Sequence, residues 1–143
     1  MKLPVLKIGN IVAEVPIVQG GMAIRLSTAR LAAAVASEGG IGLIAASGMK
    51  FDELRKEIRL ARELTGGKGI IGINAMVAAR EFLGLITTAA EEKVDLIVAG
   101  AGFSRDIFAV GRKYGVEVVP IVSSVKLAKI SEKLGASAIV VEG

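Results

Sequence analysis

The chain is expected to fold as an α/β protein made of successive βα units, and three observations predict it. Short runs rich in Val and Ile recur every 21 to 29 residues. The segments between them place apolar residues at helical spacing. The runs themselves are apolar along their whole length, as parallel strands are when helices cover the sheet.

The elements follow in order. Leu6-Lys7-Ile8 and Ile11-Val12-Ala13 flank Gly9-Asn10, a two-residue turn suited to a small hairpin. Strands are expected at residues 16–19, 41–45, 70–74, 95–99, 117–121 and 138–141. A helix is expected over 51–64, where Phe51, Leu54, Ile58 and Ala61 step along one face. Asp52 with Lys56 and Arg59 with Glu63 are spaced to pair on the other faces. Leu127, Ile130 and Leu134 repeat the pattern, with Ser124 placed to cap that helix and Gly135 to end it. Residues 1–143 read as one domain, with 1–15 as a hairpin cap and 16–143 as βα repeats.

Composition removes many chemistries. With no Cys and no His, the chain cannot itself form a disulfide, a thiolate nucleophile, a zinc finger or a Ser-His-Asp triad, and no metal site is expected. Catalysis is left to a bound cofactor or to residues supplied from elsewhere. The longest uncharged stretches, 39–49 and 69–79, are 11 residues each, against the roughly 20 that a spanning helix needs. No membrane partner and a cytoplasmic location are therefore expected. The net charge of +4 comes from interleaved Lys, Arg and acids with 3% aromatics, which argues for a solvated surface and against nucleic-acid binding.

Glycine makes up roughly 13% of the chain, about twice ordinary usage, and many glycines stand at strand ends. Gly20-Gly21, Gly48, and Gly100 with Gly102 follow the first, second and fourth expected strands. They either turn the chain from strand to helix or leave room for a flat ring or phosphate to approach the backbone. Asn74 ends the third strand, where its amide suits the alternating donors and acceptors of a flavin edge or bonds nearby backbone. Gln19 and Met22 flank the first glycine pair. Ser123 and Ser124 serve as caps or cofactor contacts, and Glu142 ends the sixth strand. Nucleotide motifs fail. Gly67-Lys68-Gly69-Ile70-Ile71-Gly72 runs into a strand instead of opening a helix, and Arg105 stands where the run from Gly100 would need a third glycine. Six strands and five helices suit a doubly wound open sheet by length, or part of a (β/α)8 barrel by the motifs at the strand ends.

Together these residues resemble the nitronate monooxygenase family, also called the 2-nitropropane dioxygenase family, which includes the FMN-dependent enoyl-acyl-carrier-protein reductases of type II. The resemblance is carried by PIVQGGMA at 16–23, LAAAVASEGGIG at 31–42, Gly72-Ile73-Asn74, Val98-Ala99-Gly100-Ala101-Gly102 and the stretch 120–143. It covers nearly the whole chain. It implies the amino-terminal six strands of a (β/α)8 barrel with FMN at the carboxyl ends. Gly20, Gly21 and Met22 would lie by the isoalloxazine, Asn74 would bond its polar edge, and Ser124 and Glu142 would lie near the cofactor. Gly100, Ala101 and Gly102 would border the substrate. The implied reaction is oxidation of a small-molecule nitronate by O2, or reduction of an enoyl thioester.

Family members continue past the segment matching Glu142-Gly143 into a Glu-Ala-Gly-Gly-His type stretch whose His is the catalytic base or a substrate-positioning group. They also have a seventh and an eighth strand, whose loops usually hold phosphate. This chain is accordingly expected to be a piece of the barrel with no catalytic residue of its own. Its partner would be the carboxyl-terminal part of the barrel or further copies of itself, the latter giving an inactive assembly. Each charge-assisted phosphate contact is worth roughly 1.5 to 3 kcal/mol, so FMN binding by this chain alone is expected to be weak. A complete flavodoxin-like domain would instead bind flavin tightly unaided.

Overall fold

In the computed structural model, which describes residues 3–22 and 24–142, the chain opens on an antiparallel hairpin. Its strands are β1 (Leu6–Ile8) and β2 (Ile11–Ala13), joined at Gly9-Asn10. Six strands follow: β3 (Val18–Gln19), β4 (Ile41–Ala45), β5 (Ile70–Met76), β6 (Leu96–Gly100), β7 (Glu117–Val122) and β8 (Val140–Val141). Between them run helices α1 (Ala29–Ser37), α2 (Phe51–Leu64), α3 (Phe82–Glu91), α4 (Asp106–Tyr114) and α5 (Val125–Leu134).

The strand order β3-β4-β5-β6-β7-β8 distinguishes the two architectures. Every strand is parallel to its sequence neighbour and lies beside it. A doubly wound sheet reverses its order part-way and places helices on both faces. Here the order never reverses, as in the wall of a (β/α)8 barrel.

The two faces are covered differently. Ile44, Ile71, Ile73, Ile97 and Val118 pack outward with Leu54, Ile58, Leu85 and Phe108 of the helices. Ile41, Leu43, Leu96, Val98 and Val119 point the other way and pack with Ile8 and Ala13 of the hairpin. Alternate residues of β4 to β7 thus serve two cores. All five residues of β4 and of β6 are buried. The hairpin sits at the amino ends of the strands, where the Glu117 carboxylate at the start of β7 accepts from the Asn10 amide at 2.9 Å.

Several glycines have a packing reason of their own. A Cβ on Gly42 would collide with the carbonyl of Ala32, because the Ala-rich face of α1 lies directly on β4. Gly72 faces inward, where a Cβ would come 2.6 Å from Leu96 Cδ2. Part of the glycine excess therefore serves helix-on-sheet and strand packing instead of a strand-end rim.

Helix α2 has the predicted bounds, and Leu54, Ile58 and Ala61 are buried. Phe51 is exposed instead, lying over Gly84 of α3. The spaced charges of α2 do not pair along the helix; Arg55 and Arg59 reach across to Glu91 and Glu92 at the end of α3. Arg62 binds Asp95, whose carboxylate also accepts from the Ile71 amide at 2.8 Å. Guanidinium groups one helix away offer a fixed two-pronged fit that an i,i+4 lysine does not. In α5 Ser124 accepts from the Leu127 amide at 3.3 Å and Gly135 closes the helix in the left-handed conformation, as its spacing predicts.

Candidate functional site

The carboxyl ends of β3 to β8 hold the candidate cofactor and substrate residues singled out in the sequence. Gly20, Gly21 and Met22 follow β3, and Asn74 lies two residues before the end of β5. Gly100 closes β6, with Ala101 and Gly102 after it; Ser124 precedes α5, and Glu142 follows β8. Parallel strands in sequential order bring these loops to one end of the sheet.

Asn74 sits on the inner face. Its neighbours Ile73 and Ala75 belong to the outer core, and the pleat turns the residue between them the other way. It is half-buried, and its side-chain amide has no hydrogen-bond partner among the described residues. Its backbone is fully used: the carbonyl accepts from Ala46 N at 2.9 Å, and the residue pairs with Ala45 and Val98. Gly21 lies against it, since a Cβ there would fall 2.5 Å from Asn74 Cβ. Gly20 beside it faces open space, with nothing within 4 Å of a built Cβ.

A second group gathers at the other side. Ala101, Gly102, Phe103, Ile121, Leu127 and Glu142 line an open concavity of about 400 Å³. Ala101 has φ +52°, a left-handed conformation that costs a non-glycine residue of order 1 kcal/mol and recurs at binding loops. Gly100 packs against Ile121, 2.8 Å from a built Cβ to Ile121 Cδ1. The Gly20–Met22 loop does not line this concavity. Ser124 spends its hydroxyl on the helix cap.

Ser27, beside the first loop, was not legible as part of a site. Ser27 is wholly buried, and its hydroxyl accepts from the Met22 amide at 2.8 Å and from Gln19 Nε2 at 3.3 Å. The Gln19 amide also spans to β4, accepting from Leu43 N at 3.3 Å and donating to Leu43 O at 3.2 Å. In sequence, Ser27-Thr28 ahead of an Ala-rich run reads as a helix cap. Only the fold turns Ser27 toward the loop. The same loop is tied to α2 by Arg25, whose guanidinium lies 3.2 Å from Glu53 and holds that carboxyl below its ordinary range.

A family model described as nitronate monooxygenase matches residues 5–85, a stretch that includes the Gly20–Met22 loop and Asn74. The chain belongs to the nitronate monooxygenase family. As a member of that oxidoreductase family it contributes part of a barrel. The structure of FabK from Thermotoga maritima matches with a TM-score of 0.85 and 37% identity, over 92% of this chain and 41% of that one. Nitroalkane oxidase from Streptomyces ansochromogenes shares the fold, with a TM-score of 0.80 and 24% identity, over 92% of this chain and 47% of that one. A hydroxy-methyl-oxo-octahydro-indene carboxyl-CoA dehydrogenase of Rhodococcus jostii is 30% identical over 90% of this chain and 35% of its own length. This nitronate monooxygenase family chain thus spans about a third of the length of the curated relatives it matches. Among its described residues no helix is long and apolar enough to cross a membrane.

Proposed function

We propose that this chain forms the flavin-facing part of an FMN-dependent oxidoreductase of the nitronate monooxygenase type. The observation that carries the proposal is the pairing of Gly21 with Asn74: a loop without side chains lies on an inward amide that has no partner among the described residues. The arrangement fits a flat heteroaromatic ring. Gly20 leaves open space for it, Asn74 offers two donors and an acceptor to its polar edge, and the exposed Met22 side chain is free to pack on it. Bound FMN would supply the electron-accepting centre that the side chains of this chain, which has no Cys, do not provide.

The chain's own residues would bind, orient and exclude water. Ile121, Val122 and Leu127 give the concavity apolar walls, and Glu142 and the backbone of Ala101-Gly102 give it a polar edge. The apolar walls suit the alkyl part of a small nitronate, whose anionic end would face the Ala101-Gly102 backbone and not the Glu142 carboxylate. A thioester-reducing activity is the second reading, favoured by the 37% identity to FabK, against 24% to the nitroalkane oxidase.

Six strands leave β3 and β8 as open edges among the described residues. Ile17, Val18, Val140 and Val141 are exposed there, and Val125 of α5 is 72% exposed. We infer that two further βα units close this barrel and supply the phosphate site and the catalytic base. A cytoplasmic enzyme acting on a small molecule is the corresponding setting. Oxygen uptake with an alkyl nitronate, and NADH oxidation with an enoyl thioester, would be followed for the completed barrel. The first alone supports the leading reading, the second alone the other, and neither would refute both.

A further inference from the structure

We propose that Ser27 is the positioning residue for the Gly20–Met22 loop, and that through this loop it sets where a flavin ring can rest against Asn74. The second half rests on the flavin reading above; the first stands on geometry alone. Ser27 has no exposed surface. Its hydroxyl meets three separate groups of the segment before it. It accepts from the Met22 amide at 2.8 Å and from Gln19 Nε2 at 3.3 Å, and it stands 3.5 Å from the Gly20 carbonyl, to which it donates. Its own carbonyl accepts from Ala45 N at 2.8 Å, which ties it to the end of β4.

A loop containing two adjacent glycines has little rotational restriction of its own. Without a fastening it would sample many shapes and lose conformational entropy whenever a ligand ordered it. Ser27 removes that freedom in advance. Gln19 completes the fastening, because its amide is held between Leu43 N and Leu43 O, and the second N–H of Nε2 is shared between the Ser27 hydroxyl and the Gly20 carbonyl. The hydroxyl is suited to this position because it accepts and donates at once, which neither Ala nor Val does. Buried donors left unpaired by its removal would seek water and pull the loop outward. Ser27 touches no reacting atom in this account and acts through Gly20, Gly21 and Met22.

The test compares the chain with its Ser27→Ala variant in two readouts. Amide hydrogen exchange at Met22, measured without ligand, is expected to be about tenfold faster in the variant, the equivalent of one lost hydrogen bond. Titration with FMN and with riboflavin, followed by flavin fluorescence and visible circular dichroism, is expected to show about tenfold weaker binding of both. The loss should be equal for the two, because the ring and not the phosphate is misplaced, and the dichroism should change sign or amplitude. Equal Met22 exchange in the two proteins would overturn the role of Ser27. So would a loss confined to FMN. If neither the parent chain nor the barrel completed by its closing βα units takes up either flavin while the exchange difference stands, the flavin reading fails and the fastening does not. Should Ser27→Ala fail to fold, Gln19→Ala removes the second strut and is expected to move both readouts the same way; no movement there overturns the proposal.

Discussion

Gly21 rests on Asn74 so closely that a Cβ on the glycine would stand 2.5 Å from Asn74 Cβ, whereas one on Gly20 would meet nothing within 4 Å. Two adjacent glycines thus have different tolerances. Gly21→Ala is expected to cost about 1 to 3 kcal/mol, as overpacking does. Gly20→Ala should lie within about 1 kcal/mol of the parent chain, on the stabilising side, since it restricts the unfolded chain. Urea unfolding of both variants measures the difference.

Asn74 gives the complementary test. Its side chain has no partner among the described residues, so Asn74→Ala should change stability by no more than about 1 kcal/mol. Flavin affinity should nonetheless fall about tenfold or more, because the inward amide, with no partner among the described residues, is left to bond a ligand. Thermal unfolding and flavin fluorescence, read on the same sample, separate the two effects.

The α2–α3 ion pairs predict how the chain responds to acid. Hydrogen bonding from Arg59 lowers the Glu92 pKa from its ordinary 4.5, partial burial opposes it, and Arg55 adds to the lowering. A carboxyl whose folded pKa is lowered gives stability that is present above about pH 4.5 and is lost as the pH falls through its folded value. Glu92→Gln should therefore cost about 1 kcal/mol at neutral pH. The cost should shrink toward zero in the acid limb below the folded value. Unfolding free energies from pH 7 down to pH 3 check this.

Gly42 has no role at the strand-end rim and is predicted to be the less replaceable for it. A Cβ there strikes the main-chain carbonyl of Ala32, which cannot rotate aside as a side chain would. Gly42→Ala should lose about 3 kcal/mol or more. Circular dichroism melting is expected to show a markedly lower midpoint, with α1 the first element to fray in hydrogen exchange.

The strands and their parallel character were legible because apolar residues and glycine, with no polar side chain, run unbroken from Ile41 to Ala45 and from Leu96 to Gly100 in sequence. Their ends were less so. β3 begins at Val18 and not at residue 16, where Pro16 has no amide to donate. β5 runs on to Met76, whose amide is taken by the Ser47 hydroxyl at 2.8 Å. The position of Asn74 at the carboxyl end of a strand could be read directly. Its contact with Gly21 could not, because that contact joins residues far apart in sequence. The charge pairs of α2 misled for the same reason: Glu92 lies over thirty residues from Arg59 in the chain but beside it in space.

The claim on which the account turns is that this chain supplies the ring-facing residues of a flavin site that the rest of the barrel completes. FMN titration of the chain alone, and of the chain joined to the two βα units that close a family barrel, tests it most directly. Binding is expected to be weak for the chain alone and at least about a hundredfold tighter on completion, the worth of two phosphate contacts. Equal affinity in the two samples would contradict the claim.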